Sequence, residues 1–120
     1  MTEMRRVVVT GMGMVSPLAN GVKPTWDKLL NAESGINVIE SFDTSDLPAK
    51  IAGQVPLGEG EGQFNADDYM TAKERRRMDD FIVYGLAAAI EAVEDSGWVP
   101  ATDEDRWKTG VMIGSGIGGL

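Results

Sequence analysis

Cysteine and histidine are both absent from this 120-residue chain. Their absence excludes disulfides, thiolate nucleophiles, imidazole acid–base pairs and the common zinc sites. Any catalysis by this chain alone must draw on carboxylates, lysines or hydroxyls. Long apolar runs are missing too, and none approaches the roughly 20 residues needed to cross a bilayer. The opening Met1–Arg6 passes straight into Val7-Val8-Val9 without the apolar centre of a signal peptide, so a cytoplasmic protein is expected. Positive charge is scarce: 11 basic residues face 19 acidic ones, a net charge of −8. Long-range repulsion from nucleic acid and anionic membranes follows.

What remains is an ordinary globular composition, 42% hydrophobic and 25% charged. It suits one domain, or part of one, with a modest core. Arg6–Thr10 is β-branched and ends at Gly11, which reads as a buried strand. After the turn Gly11-Met12-Gly13-Met14 and the loop at Ser16-Pro17, Pro24 fits the first turn of a helix. Trp26, Leu29 and Leu30 share one face of that helix, and Ser34-Gly35 ends it. Ile36–Ile39 and Lys50–Val55 are short strand candidates. Gly58-Glu59-Gly60-Glu61-Gly62 reads as a flexible, exposed acidic loop.

Asn65 or Asp67 is placed to cap a short helix running towards Arg77. A long helix is expected from Met78 to Ser96, stopped by Gly97. Its middle, Gly85-Leu86-Ala87-Ala88-Ala89-Ile90, is apolar on nearly every face, which predicts extensive burial. Its small residues would let another backbone come close. Asp103–Arg106 reads as a polar turn and Thr109–Ile113 as a second strand. Met12, Met14, Met78 and Met112 are expected to fill the core. The tryptophans, Trp26, Trp98 and Trp107, lack cluster partners in sequence and read as core or surface anchors.

Two glycine motifs invite a nucleotide reading. Gly114, Gly116 and Gly119 follow an apolar run with the spacing of a dinucleotide-binding turn, but the motif needs a following helix to carry meaning. Gly11 and Gly13 also follow a strand. There Pro17, Asn20-Gly21 and Pro24 delay the helix, so no helix N-terminus remains where a pyrophosphate would sit. A third feature is the segment Lys73-Glu74-Arg75-Arg76-Arg77, basic within an acidic protein. It reads either as a solvated charged face or as a docking patch for an acidic partner. At the start of the long helix these cations would oppose its macrodipole; at the end of a preceding helix they would be favoured.

Three stretches, "RRVVVTGMGMVSPLANGVKPTWDKLLNAESGI", "KERRRMDDFIVYGLAAAIEAVEDSG" and "TGVMIGSGIGGL", resemble the N-terminal part of the β-ketoacyl-acyl carrier protein synthase II family. The resemblance implies an α/β, thiolase-like, five-layer αβαβα fold, of which residues 1–120 are the opening, incomplete part of the first half. It implies elongation of acyl chains by decarboxylative Claisen condensation, on a cysteine and two histidines that lie further along the family pattern. This chain holds no such residues, so none of its own is assigned a catalytic role. The resemblance also implies contact of Lys73, Arg76 and Arg77 with the acidic acyl carrier protein. It puts Ile117, beside Gly116, at the acyl pocket, with packing at a subunit interface as the other reading of Ile117. Neither cofactor nor metal is implied, and the relatives form homodimers. Strands Arg6–Thr10 and Thr109–Gly114 would then be neighbours in a mostly parallel sheet. Alone, such a piece would leave sheet edges and apolar helix faces exposed. The rival readings are a dinucleotide-binding domain and a self-standing, non-catalytic module that binds carrier protein.

Overall fold

Helix α3 (Asp80–Ser96) is the longest element among the described residues. The computed structural model describes residues 4–119. Before α3 come α1 (Val22–Leu30), strands β1 (Ile36–Val38) and β2 (Ile51–Gly53), a 3-10 turn at Ala66–Asp68, and the single-turn helix α2 (Ala72–Arg75). Helix α4 (Asp103–Lys108) follows it. The strands pair antiparallel, with Ile36 opposite Gly53 and Val38 opposite Ile51. Gly97 ends α3 in the left-handed region at φ +63, a conformation that glycine adopts without steric cost.

The core is small and lies between α3 and the segment from Val55 to Met70. Phe64, Ala66 and Met70 pack against Val83 and Ala87 of α3. The Phe64 ring stacks on Tyr69 at 5.4 Å and meets Tyr84 edge-on at 5.0 Å. Asn20 donates to the Tyr69 hydroxyl at 2.9 Å, which ties the first loop to this cluster.

The segment Gly11–Met14 runs antiparallel to α3 and close against it. A methyl group built on Gly13 would collide with the Ala88 carbonyl, and one on Gly11 would stand 2.5 Å from the Ser96 nitrogen. The small residues of α3 accept a neighbouring backbone here, as their size suggested. Carboxylates of α3 then take the free amides of the segment. Asp95 accepts the Met12 N–H at 2.9 Å and Glu91 accepts the Met14 N–H at 2.8 Å. Four helical residues rise about 6 Å, and two extended residues advance about 6.6 Å. Acids spaced i, i+4 therefore match alternate N–H groups. Glu91 also accepts the Val22 N–H at 2.9 Å, at the start of α1, whose N-cap Gly21 has no side chain for the task.

Several expectations are corrected. Neither Arg6–Thr10 nor Thr109–Ile113 forms a strand, and the parallel sheet they were to share does not form among the described residues. Val7 is 89% exposed and Met112 is 99% exposed, because no partner strand lies beside either segment. Strand propensity becomes a strand only when a ladder partner takes its amides and carbonyls. The radius of gyration, 17.9 Å, exceeds the roughly 14 Å of a closed domain of this length, as these extended ends require. Met12 and Met14 do not fill the core either. With Trp26, Leu29 and Glu91 they line an open groove of about 800 Å³.

Helix α3 buries only one narrow face, Val83 and Ala87, and leaves Phe81, Ile82, Leu86 and Val93 exposed. The short helix after Asn65 is broken in two. Asn65 caps the 3-10 turn by accepting the Asp67 N–H, and a new helix begins at Thr71. A capping box, Thr102 with Asp105, makes Asp103–Lys108 a helix where a turn was expected. The Gly58–Gly62 loop is also more organised than its composition suggests. The Phe64 N–H donates to the Pro56 carbonyl at 2.7 Å, the Gly58 N–H donates to the Phe64 carbonyl at 3.1 Å, and the Gln63 N–H closes the loop onto the Gly60 carbonyl at 3.0 Å.

Candidate functional site

The basic segment is built on the capping box of α2. The Thr71 hydroxyl accepts the Glu74 N–H, and the Glu74 carboxylate accepts from the Thr71 N–H at 2.9 Å and its hydroxyl at 2.7 Å. This reciprocal cap holds a helix of one turn, too short to persist by propensity alone. Lys73 and Arg75 lie in its last turn, Arg76 is its C-cap, and Arg77 closes onto the Glu74 carbonyl at 3.0 Å. All four cations are exposed. They end the preceding helix rather than start α3, whose first turn carries Asp80, so neither helix end is opposed. Among the described residues no carboxylate lies within ion-pair distance of Lys73, Arg76 or Arg77. Their charge is free to face a partner.

The bonds from Thr71 hold the Glu74 carboxyl below its ordinary 4.5. A carboxyl depressed on folding contributes stability above its unfolded pKa and loses it as pH falls through the lower, folded value. Titration of Glu74 by NMR should therefore show a depressed midpoint. Thr71→Ala should return it towards the ordinary value, and an unmoved midpoint would refute the cap as the cause.

Arg75 differs from its neighbours. It lines a cleft of about 310 Å³ with Leu57, Phe64, Asp80, Val83 and Tyr84. Burial, then the Asp80 carboxylate, raises the Tyr84 phenol above its ordinary range, while Arg75 opposes that shift. The cleft thus brings Arg75 of the basic segment alongside the aromatic core cluster and α3.

The closing glycines reach the first turn of α3 from the far end of the chain. A methyl group on Gly118 would stand 2.5 Å from the Phe81 ring, and Gly119, at φ +71, lies against the Asp79 carboxylate. Asp79 occupies the N-cap position of α3 but makes no side-chain cap hydrogen bond. Gly118 and Gly119 therefore rest on the first turn of the helix that follows the basic segment in sequence. Gly116 is exposed with open space around it, and Ile117 is 85% exposed.

This geometry removes the nucleotide reading at both motifs. Gly11 and Gly13 are used up by the close approach to α3, and α1 starts only at Val22. At the closing motif an aspartate carboxylate sits where a phosphate would need positive or amide character. Asp79, Phe81 and the cleft-lining role of Arg75 were not found from sequence. The capping box at Thr71 is visible there, but nothing local marks the residues on which a distant loop rests.

The chain is a mixed α/β segment. It matches the family described as "Beta-ketoacyl synthase, N-terminal domain" over residues 4–120, and it belongs to that family. It is 55% identical over 118 residues to the 3-oxoacyl-[acyl-carrier-protein] synthase 2 of Rhizobium meliloti (strain 1021), covering 98% of this chain and 28% of that protein. The synthase of the same name from Vibrio cholerae is 50% identical over 116 residues, covering 97% of this chain and 26% of that one. A putative mitochondrial 3-oxoacyl-[acyl-carrier-protein] synthase of Schizosaccharomyces pombe is 38% identical, covering 98% and 28%. Among solved structures, the ishigamide ketosynthase/chain length factor superposes with a TM-score of 0.66 at 32% identity, over 84% of this chain and 23% of that one. The fold is thus that of the N-terminal part of a ketosynthase. The chain spans little more than a quarter of its relatives' length.

Proposed function

We propose that residues 1–120 are the N-terminal section of a 3-oxoacyl-[acyl-carrier-protein] synthase 2. The complete protein elongates acyl chains by decarboxylative condensation with malonyl-loaded carrier protein. With neither cysteine nor histidine, this section supplies recognition and not the condensation chemistry. Lys73, Arg76 and Arg77 dock the acidic carrier protein, and Ile117 with Gly116 borders the acyl pocket. The observation that carries this reading is that Gly118 and Gly119 of the closing loop rest on Phe81 and Asp79, at the start of the helix directly after the basic segment. A carrier protein held at one would deliver its acyl chain towards the other. Homodimer assembly and a cytoplasmic location complete the reading; the bacterial relatives are the more similar at 55% and 50% identity, against 38% for the mitochondrial one.

The test is charge reversal. Lys73→Glu, Arg76→Glu and Arg77→Glu together should weaken carrier-protein binding at least about tenfold at low salt, mostly through slower association. The loss should shrink as ionic strength rises. Unaltered association kinetics would remove the docking role. Thr71→Ala, which loosens the cap without touching a cation, should weaken binding less.

A further inference from the structure

We propose that Phe81 is a positioning residue for acyl-chain-length selection, acting through the closing glycine loop; this rests on the reading of Ile117 as part of the acyl pocket. The argument is steric. The Phe81 ring occupies the space beside Gly118 so fully that a methyl group there would stand 2.5 Å from two ring carbons. The next residue, Gly119, is seated on the Asp79 carboxylate at φ +71. Two successive residues of the loop therefore rest on the first turn of α3. On the other side, Gly114 and Gly116 have open space around them and Ile117 is 85% exposed. Among the described residues the loop is held from one side.

What holds it is rigid. The Asp79 carbonyl accepts the Ile82 and Val83 N–H groups at 3.0 and 3.3 Å, and Val83 is buried to 2% exposure. The thickness of the Phe81 ring thus sets how far the loop stands from α3, and Ile117 is the adjacent residue. Binding groups need placement within about 0.5 Å, so a thinner side chain at position 81 moves Ile117 by a distance that matters. Phe81 is itself 40% exposed and stands outside the core cluster, so it is free to serve the loop.

The experiment uses a full-length 3-oxoacyl-[acyl-carrier-protein] synthase 2 whose N-terminal section is residues 1–120. It reads the ratio of kcat/KM for a long over a short acyl primer, with Tm recorded alongside. Ile117→Phe should lower this ratio about tenfold or more. Phe81→Leu and Gly118→Ala should each change it at least about threefold, at closely similar Tm. Combining them should bring the ratio back towards the parent value, because the smaller side chain makes room for the methyl group. General loosening of the fold would not produce that restoration. A ratio moved by Ile117→Phe but not by Phe81→Leu or Gly118→Ala overturns the role of Phe81 alone. Single effects that add instead of cancelling overturn it as well. No response to Ile117→Phe overturns the pocket reading and this inference with it. If Phe81→Leu fails to fold, Gly118→Ala still decides, since it disturbs the same contact with the ring intact.

Discussion

Gly13→Ala should destabilise the protein by about 3 kcal/mol, measured as a fall in the denaturant midpoint at unchanged slope. The added methyl group would run into the Ala88 carbonyl of α3, and its carbon would stand 2.8 Å from the Ala92 nitrogen. These are backbone atoms of a regular helix, so no rotamer change relieves the clash. Relief requires the segment to lift away from α3, which pulls the Met12 and Met14 amides from Asp95 and Glu91. A folding free energy of about 5–15 kcal/mol makes such a loss large. Gly85→Ala supplies the contrast, because it lies within α3 with nothing within 4 Å of the added carbon. It should stabilise by about 0.5–1 kcal/mol through helix propensity and a less free unfolded chain. Equal effects at the two glycines would refute the close approach to α3.

Removal of the Glu91 carboxylate should have the second largest effect. Its two oxygens accept two N–H groups from different places, Met14 at 2.8 Å and Val22 at 2.9 Å. Hydrogen bonds to a charged acceptor contribute about 1.5–3 kcal/mol each at best, and partial exposure lowers that. Glu91→Ala should therefore cost about 2–3 kcal/mol in a denaturation experiment. Glu91→Gln is the sharper test. A carboxamide has one acceptor oxygen, and its NH₂ group would face an N–H donor, so it can replace only one of the two bonds. It should cost roughly half as much as alanine. A neutral Glu91→Gln would show that Glu91 does not hold the Met14 and Val22 amides together.

How much of this was legible in advance depended on the range of the cause. Helix α3 and its stop were readable because the period of Phe81, Ile82, Gly85 and Ala89 and the glycine at 97 act within a few residues. Strands β1 and β2 fall inside the expected ranges for the same reason. The break between the 3-10 turn and α2 is also local, written in Thr71 and Glu74, although the expected cap was Asn65 or Asp67. The site divides similarly. The basic segment announced itself by charge, whereas the place of Arg75 beside an aromatic cleft did not. Phe81 and Asp79 carry no motif at all; they matter because a loop from the far end of the chain lands on them.

The residues alone settled which chemistry is excluded, where α3 runs and stops, and which short stretch concentrates positive charge. Those properties belong to single side chains and to neighbours one helical turn apart. Which backbone lies against which was a different matter. Val7-Val8-Val9 and Val111-Met112-Ile113 have every local mark of strands and form none here, because a strand exists only with a partner to take its hydrogen bonds. Glu91 could equally have been a solvated helix residue until the fold brought two unpaired amides to its oxygens. Gly118 became a contact, and not a phosphate cradle, only when the Phe81 ring filled the space beside it. Local preference chose the elements; the close approach of distant backbones, permitted by glycine and alanine, chose their use.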